Sequence, residues 1–268
     1  MFQFIRISIL TAILIGLVVS VPSLNKPAMR AIQDVGDLFD TRPERQILFV
    51  GNSRTYFNDM PAMVRSMADS ANAPEKYRIQ MHAPAGRALA DHWANPQVHD
   101  LLAQQWHHVV IQAQSGEQYD RSLSAQMLGT ARKLISEARL GGAAPAMFVT
   151  WRYTTDCPEA AGSDTTGYRQ MHANIQAMHR QLNRETGVDL VNVGLIWEVI
   201  HKYFAEIPLY LDCNHPSIYG SYLSALAFYD YFSGGDVLAV TYVPDGIPQD
   251  QAKLLREAVS RYSSAAAQ

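Results

Sequence analysis

A strand-like apolar run followed by a helix-patterned stretch recurs along this chain, and that alternation leaves few folds open. The runs are QILFVG (46–51), YRIQMHAPAG (77–86), HHVVIQAQSG (107–116), AMFVTW (146–151) and VDLVNVG (188–194). Between the first two, Met60, Met63, Val64 and Met67 share one face of a helix expected over Asp59–Ala71. Further helical patterns cover a broken stretch at 88–105, then 122–140, 166–186, 195–204, 217–232 and 249–262. Gly141-Gly142 and Gly187 supply stops for two of them. Strands that alternate with helices of this length need crossover connections, so they build a parallel α/β sheet with helices on both faces. The unbroken Val109-Val110-Ile111 is what a strand covered on both faces requires.

Such sheets bind ligands beyond the carboxyl ends of their strands. The polar motifs fall there: Gly51-Asn52-Ser53 after the first strand, Ala85-Gly86 after the second, Gln112 to Ser115 after the third, and Trp151-Arg152 after the fourth. Any one of these would pass as an ordinary loop, but four on one rim point to a site.

A serine nucleophile needs a general base, and the base needs a partner that fixes its tautomer. LYLDCNHPSIYG (209–220) offers both, with Asp212 three residues before His215 in a loop that runs into a helix. Pro216 fits the first helical position, where its missing N–H is harmless. D-x-x-H by itself is a weak signal, and Asp212 as a loop acid beside a helix-start histidine is the plainer alternative.

Gly51-Asn52-Ser53, the lone Gly86 and Asp212-Cys213-Asn214-His215 together resemble the SGNH branch of the GDSL esterase and lipase superfamily, over about residues 46–232. The resemblance implies a flavodoxin-like, three-layer α/β/α sandwich on a five-stranded parallel sheet, and it implies a serine hydrolase that needs no cofactor. By the same resemblance Ser53 attacks, His215 removes its proton and Asp212 orients His215. Gly86 stands where the family has a backbone oxyanion donor, and the Ser53 N–H is a second donor. The family's third donor is an asparagine in G-x-N-D. This chain has Gln112-Ala113-Gln114-Ser115 there instead. A glutamine amide has the same donor chemistry, so Gln114, farther past the strand, is the expected donor and Gln112 the alternate.

The expected reaction is cleavage of an ester, an O-acyl group on a carbohydrate or small alcohol, through an acyl-enzyme on Ser53. The same triad would serve an O-acyltransferase acting on envelope polysaccharide, and a non-catalytic carbohydrate-binding relic is a third reading. Asn52, Arg54, Trp151 and Arg152 are candidates for substrate contact, with Trp93 and Tyr153 as further aromatics. For Arg54 a surface salt bridge is the commoner role, and for the aromatics a place in the core. No H-E-x-x-H and no Cys/His cluster occurs, so no metal is expected.

A net charge of −3 gives no electrostatic grip on nucleic acid. With nearly half the residues apolar and 18% charged, one large core is available. Arg6 followed by the uncharged run Ile7–Val21 suits the hydrophobic region of a secretory signal. Residues 1–24 are therefore expected to be a signal peptide or an N-terminal membrane anchor, 25–45 a tether, and 46–268 the domain, exported to the periplasm or secreted. In that oxidising setting the two cysteines, Cys157 and Cys213, are expected to form a disulfide across the rim.

Overall fold

The computed structural model describes residues 40–118, 121–154 and 166–266. The apolar segment 1–24, and with it the expected signal or anchor, lies outside them. No helix among the described residues is long and apolar enough to cross a membrane. The chain divides after Pro43, and the unit Glu44–Gln268 carries the sheet.

Five strands, β1 (Glu44–Val50), β2 (Lys76–His82), β3 (His108–Ile111), β4 (Ala144–Phe148) and β5 (Asp189–Val191), form one sheet in the order β2-β1-β3-β4-β5. Every pairing is parallel. The sheet is covered on both sides because its central strands are apolar at successive positions. Ile47 and Phe49 point to one face, Leu48 and Val50 to the other, and all four are at most 1% exposed. Burying each such side chain contributes roughly 1.5–3 kcal/mol.

The first face carries α2 (Met60–Ser70), α7 (Val193–Tyr203), α8 (Ile218–Ser233) and α9 (Gln249–Ala266). The second carries α3 (Leu89–Trp93), α4 (Pro96–Leu102), α5 (Arg121–Leu140) and α6 (Thr166–Thr186). Helix α8 is buried along most of its circumference, with Phe228 edge-on to Phe49 at 5.0 Å between ring centres. The break expected at 88–105 has a local cause: Asn95 caps a new helix by accepting from the Gln97 N–H at 3.0 Å, and Pro96 takes its first position.

One expectation about α8 needs correcting. Its cap is Ser217, whose Oγ accepts from the Tyr219 and Gly220 N–H groups. Pro216 lies one residue outside the helix, in a short bridge to Tyr210.

The chain leaves β1 over the first face through α2 and leaves β2 over the second through α3 and α4. The crossovers diverge at the carboxyl end of β1, which is where an open α/β sheet has its crevice.

Candidate active site

Gly51 ends β1 because nothing larger fits. A Cβ there would lie 2.5 Å from Thr55 Oγ1 and 2.7 Å from Gln112 Oε1. The next residues enter the four-residue helix α1 (Ser53–Tyr56), with the Asn52 side chain accepting from the Arg54 N–H at 3.3 Å. Gln112, at the end of the neighbouring β3, locks this turn. Its Oε1 accepts from the Asn52 N–H at 2.9 Å and from Thr55 Oγ1–H at 3.0 Å, and its Nε2 donates to the Ala113 carbonyl. Both ends of that amide are engaged and the residue is fully buried. Gln112 is therefore a support of the turn that carries Ser53, and the alternate oxyanion role expected for it does not stand.

Ser53 Oγ lies 3.0 Å from His215 Nε2, and His215 Nδ1 lies 2.8 Å from Asp212 Oδ2. A carboxylate only accepts, so Nδ1 carries the proton and Nε2 faces the serine as an acceptor. Asp212 Oδ1 also accepts the N–H groups of Asn214 at 2.8 Å and His215 at 2.7 Å, which closes the loop into a tight turn. Burial pulls the Asp212 pKa up, but these bonds from His215 and Asn214 outweigh it and hold the carboxyl below its usual range. Phe57 stacks on the His215 ring, 4.4 Å between centres and 13° between planes. That contact carries no mark in sequence, since an aromatic just past a short helix reads as core.

Gly86 lines the same cavity of about 400 Å3 as Ser53, Gln114 and His215. Its φ of +69° is the left-handed conformation that favours glycine, and space around it is open, so it is required by backbone shape alone. Gln114, which also lines the cavity, has its Oε1 turned to the Gly116 and Glu117 N–H groups at 2.6 and 3.2 Å. Glu117 couples the two loops that carry Gly86 and Gln114. Its buried carboxylate accepts from the Leu89 N–H at 3.3 Å and the Gln114 N–H at 2.8 Å, while burial raises its pKa. A lone glutamate in a polar loop carries no mark of such burial in sequence.

Arg54 is not at the surface, and among the described residues it makes no salt bridge. It is 2% exposed, and its guanidinium donates to Asn214 Oδ1 at 2.9 and 2.7 Å, to Thr150 Oγ1 at 2.9 Å and to the Trp151 carbonyl at 2.5 Å. It lies over the Trp151 ring at 4.9 Å and the Tyr153 ring at 5.5 Å. Burial lowers its pKa to about 10, which leaves it a cation at neutral pH. The residue after Ser53 thus ties together the ends of β1 and β4 and the D-C-N-H turn.

Two candidate contacts are not in the cavity. Trp151 is fully buried, stacked on Trp197 at 3.8 Å, with its indole N–H given to the Asn214 carbonyl. Arg152 is paired with Glu198 at 2.8 Å. Trp93 lies away from the cavity too, edge-on to His99, whereas Tyr153 shares a 2.7 Å hydrogen bond with the cavity residue Ser115. Asn52 lines the cavity, but its amide is committed to the Arg54 N–H and the Arg87 carbonyl. Cys213 is not a free thiol; Cys157 lies outside the described residues.

The sequence matches no protein-family model and no curated protein. The fold does match solved structures. A DUF4886 family protein from Bacteroides uniformis aligns with a TM-score of 0.68 at 16% identity, over 82% of this chain and 94% of its own. A candidate SGNH hydrolase from Slackia heliotrinireducens aligns with a TM-score of 0.58 at 28% identity, over 70% of this chain and 99% of its own. This chain has the SGNH/GDSL hydrolase fold. An acetylxylan esterase from Geobacillus stearothermophilus shares that fold, with a TM-score of 0.57 at 18% identity over 75% of this chain and 99% of its own. Within the SGNH fold the crevice beyond β1 is where Ser53, His215 and Asp212 meet.

Proposed function

We propose that this protein is a serine esterase that works through an acyl-enzyme on Ser53. The observation that carries the reading is the continuous relay from Ser53 Oγ through His215 to Asp212, at 3.0 and 2.8 Å. As Ser53 Oγ attacks the ester carbonyl, its proton moves to His215 Nε2. The imidazolium then hands that proton to the departing alcohol oxygen. Water, deprotonated by the same nitrogen, releases the acid and restores Ser53.

Negative charge on the carbonyl oxygen is met by the N–H groups of Ser53 and Gly86, and Gln114 Nε2 serves as the third donor. Neither backbone N–H has an acceptor among the described residues, which suits a site that waits for an oxyanion. One such donor is worth roughly 3–4 kcal/mol in the transition state. The test is turnover of an activated acetyl ester by the wild type and by Ser53→Ala. Hydrolysis that the substitution abolishes supports the reading, and a Ser53→Ala variant with wild-type turnover defeats it.

A further inference from the structure

Asn214, in the middle of the D-C-N-H turn, has a side chain that is fixed more firmly than its position on a loop would suggest. Its Oδ1 accepts two hydrogens from the buried Arg54. Arginine has no acceptor, so the amide cannot be flipped and Nδ2 is directed away from the guanidinium. The backbone is held as well, with the N–H given to Asp212 Oδ1 at 2.8 Å and the carbonyl accepting the Trp151 indole at 3.0 Å. Asn214 lines the cavity with Ser53 and His215, and among the described residues its Nδ2 donates to nothing. The result is a rigid, neutral N–H2 group presented to the cavity.

Its place in the reaction follows from the neighbour it precedes. His215 Nε2 passes its proton to the departing alcohol, so the alcohol half of the ester lies on the His215 side of Ser53. The acyl carbonyl lies on the side of Gly86 and Gln114. A preorganised donor beside the alcohol needs an oxygen acceptor there, and a plain alkyl alcohol has none to give. A sugar or polyol has one on the carbon next to the ester or in its ring. Arg54 does not select for charge instead, because it is buried and four of its five donors are already given to neutral oxygens.

We infer that Asn214 is a specificity-determining residue whose Nδ2–H2 binds a hydroxyl or ring oxygen of the alcohol half, and that the substrate is an O-acyl ester of a carbohydrate or related polyol. This rests on the esterase reading above. Asn214→Asp is the informative variant, since it keeps an oxygen for Arg54 and replaces the donor with an acceptor. Asn214→Ala checks that the added charge is not the cause.

The experiment measures kcat/KM on a mono-acetylated methyl xyloside and on phenyl acetate for each protein. The wild type should prefer the xyloside ester, and both variants should lower that ratio about tenfold, as expected for a hydroxyl left without its partner. A ratio that does not move in either variant overturns the inference, even if both rates fall, because Asn214 would then act only by positioning His215. A wild type that hydrolyses neither ester, or a Ser53→Ala variant as active as wild type on phenyl acetate, overturns the esterase reading and this inference with it. A ratio that does not move, with Ser53-dependent hydrolysis intact, defeats this inference and leaves the esterase reading standing.

Discussion

The two halves of the candidate triad are held in opposite ways. The nucleophile turn is buried: Asn52, Ser53, Arg54 and Thr55 are between 1% and 9% exposed, and the turn is pinned by Gln112 from the neighbouring strand. The acid–base turn is at the surface, with half of the Asp212 side chain exposed. It is shaped by its own hydrogen bonds to Asp212 Oδ1 and anchored through Arg54, Trp151 and the Phe57 ring. The serine is therefore placed by the sheet, and the histidine by a local turn with a few ties. Damage to the first should appear as lost stability together with lost activity, and damage to the second as lost activity alone.

The largest effect is expected for His215→Ala, a loss of about 10⁴-fold or more in kcat with thermal melting close to wild type. Asp212→Asn should be at least tenfold milder, because Phe57 still stacks on the imidazole and keeps its plane. Steady-state kinetics on one ester decides this, and equal losses would show that stacking does not hold the ring.

Gln112→Leu comes next. It strands the Asn52 N–H and the Thr55 hydroxyl in a dry site, which should cost about 2 kcal/mol of stability and lower kcat as the serine shifts. Denaturant unfolding alongside kinetics reads both. A fall in activity with unchanged stability would erase the contrast between the two halves.

Reduction should act more weakly. Thr154 donates its N–H to the Cys213 carbonyl at 3.0 Å, three residues before Cys157. We expect no titratable thiol until a reductant is added, then two, and a few-fold loss of activity from the surface turn. Two free thiols in oxidised protein would remove the bridge from the account.

The smallest effect on the site itself is expected from mild acid, which acts on the scaffold. His92, His108 and His179 have pKa values pulled down to about 4 by burial, from an ordinary 6.5. The unfolded chain thus takes up protons over a range where the fold refuses them, and stability falls as pH drops from 6.5 towards 4. Melting temperature across that window checks the sign, and His179→Leu should flatten the slope.

The elements were legible because period and length mark them: strands alternate with helices, and the four-residue apolar core of β1 could face neither side alone. The grouping of Ser53, Asp212 and His215 was legible through the resemblance of G-N-S and D-x-x-H to the SGNH pattern, since D-x-x-H alone reads equally as a loop acid beside a helix-start histidine. Arg54 was not. Its partners lie 96, 97 and 160 residues away, and charge type alone argues for the surface. Gln112 and Gln114 offer the same amide two residues apart, and only the packing of α1 against the end of β3 shows that the first is buried. Trp151 stood as a candidate for substrate contact for the same reason, since whether a strand-end aromatic meets solvent depends on Trp197, which it stacks on.

The central claim is that Ser53 is a nucleophile activated in place. A fluorophosphonate tests it most directly, by forming a covalent bond to an activated serine and losing fluoride. Intact-protein mass should rise by one adduct per chain, peptide mapping should put that adduct on Ser53, and both Ser53→Ala and His215→Ala should stay unlabelled. Folded wild-type protein that resists the probe, or that carries the adduct on another residue, would contradict the account.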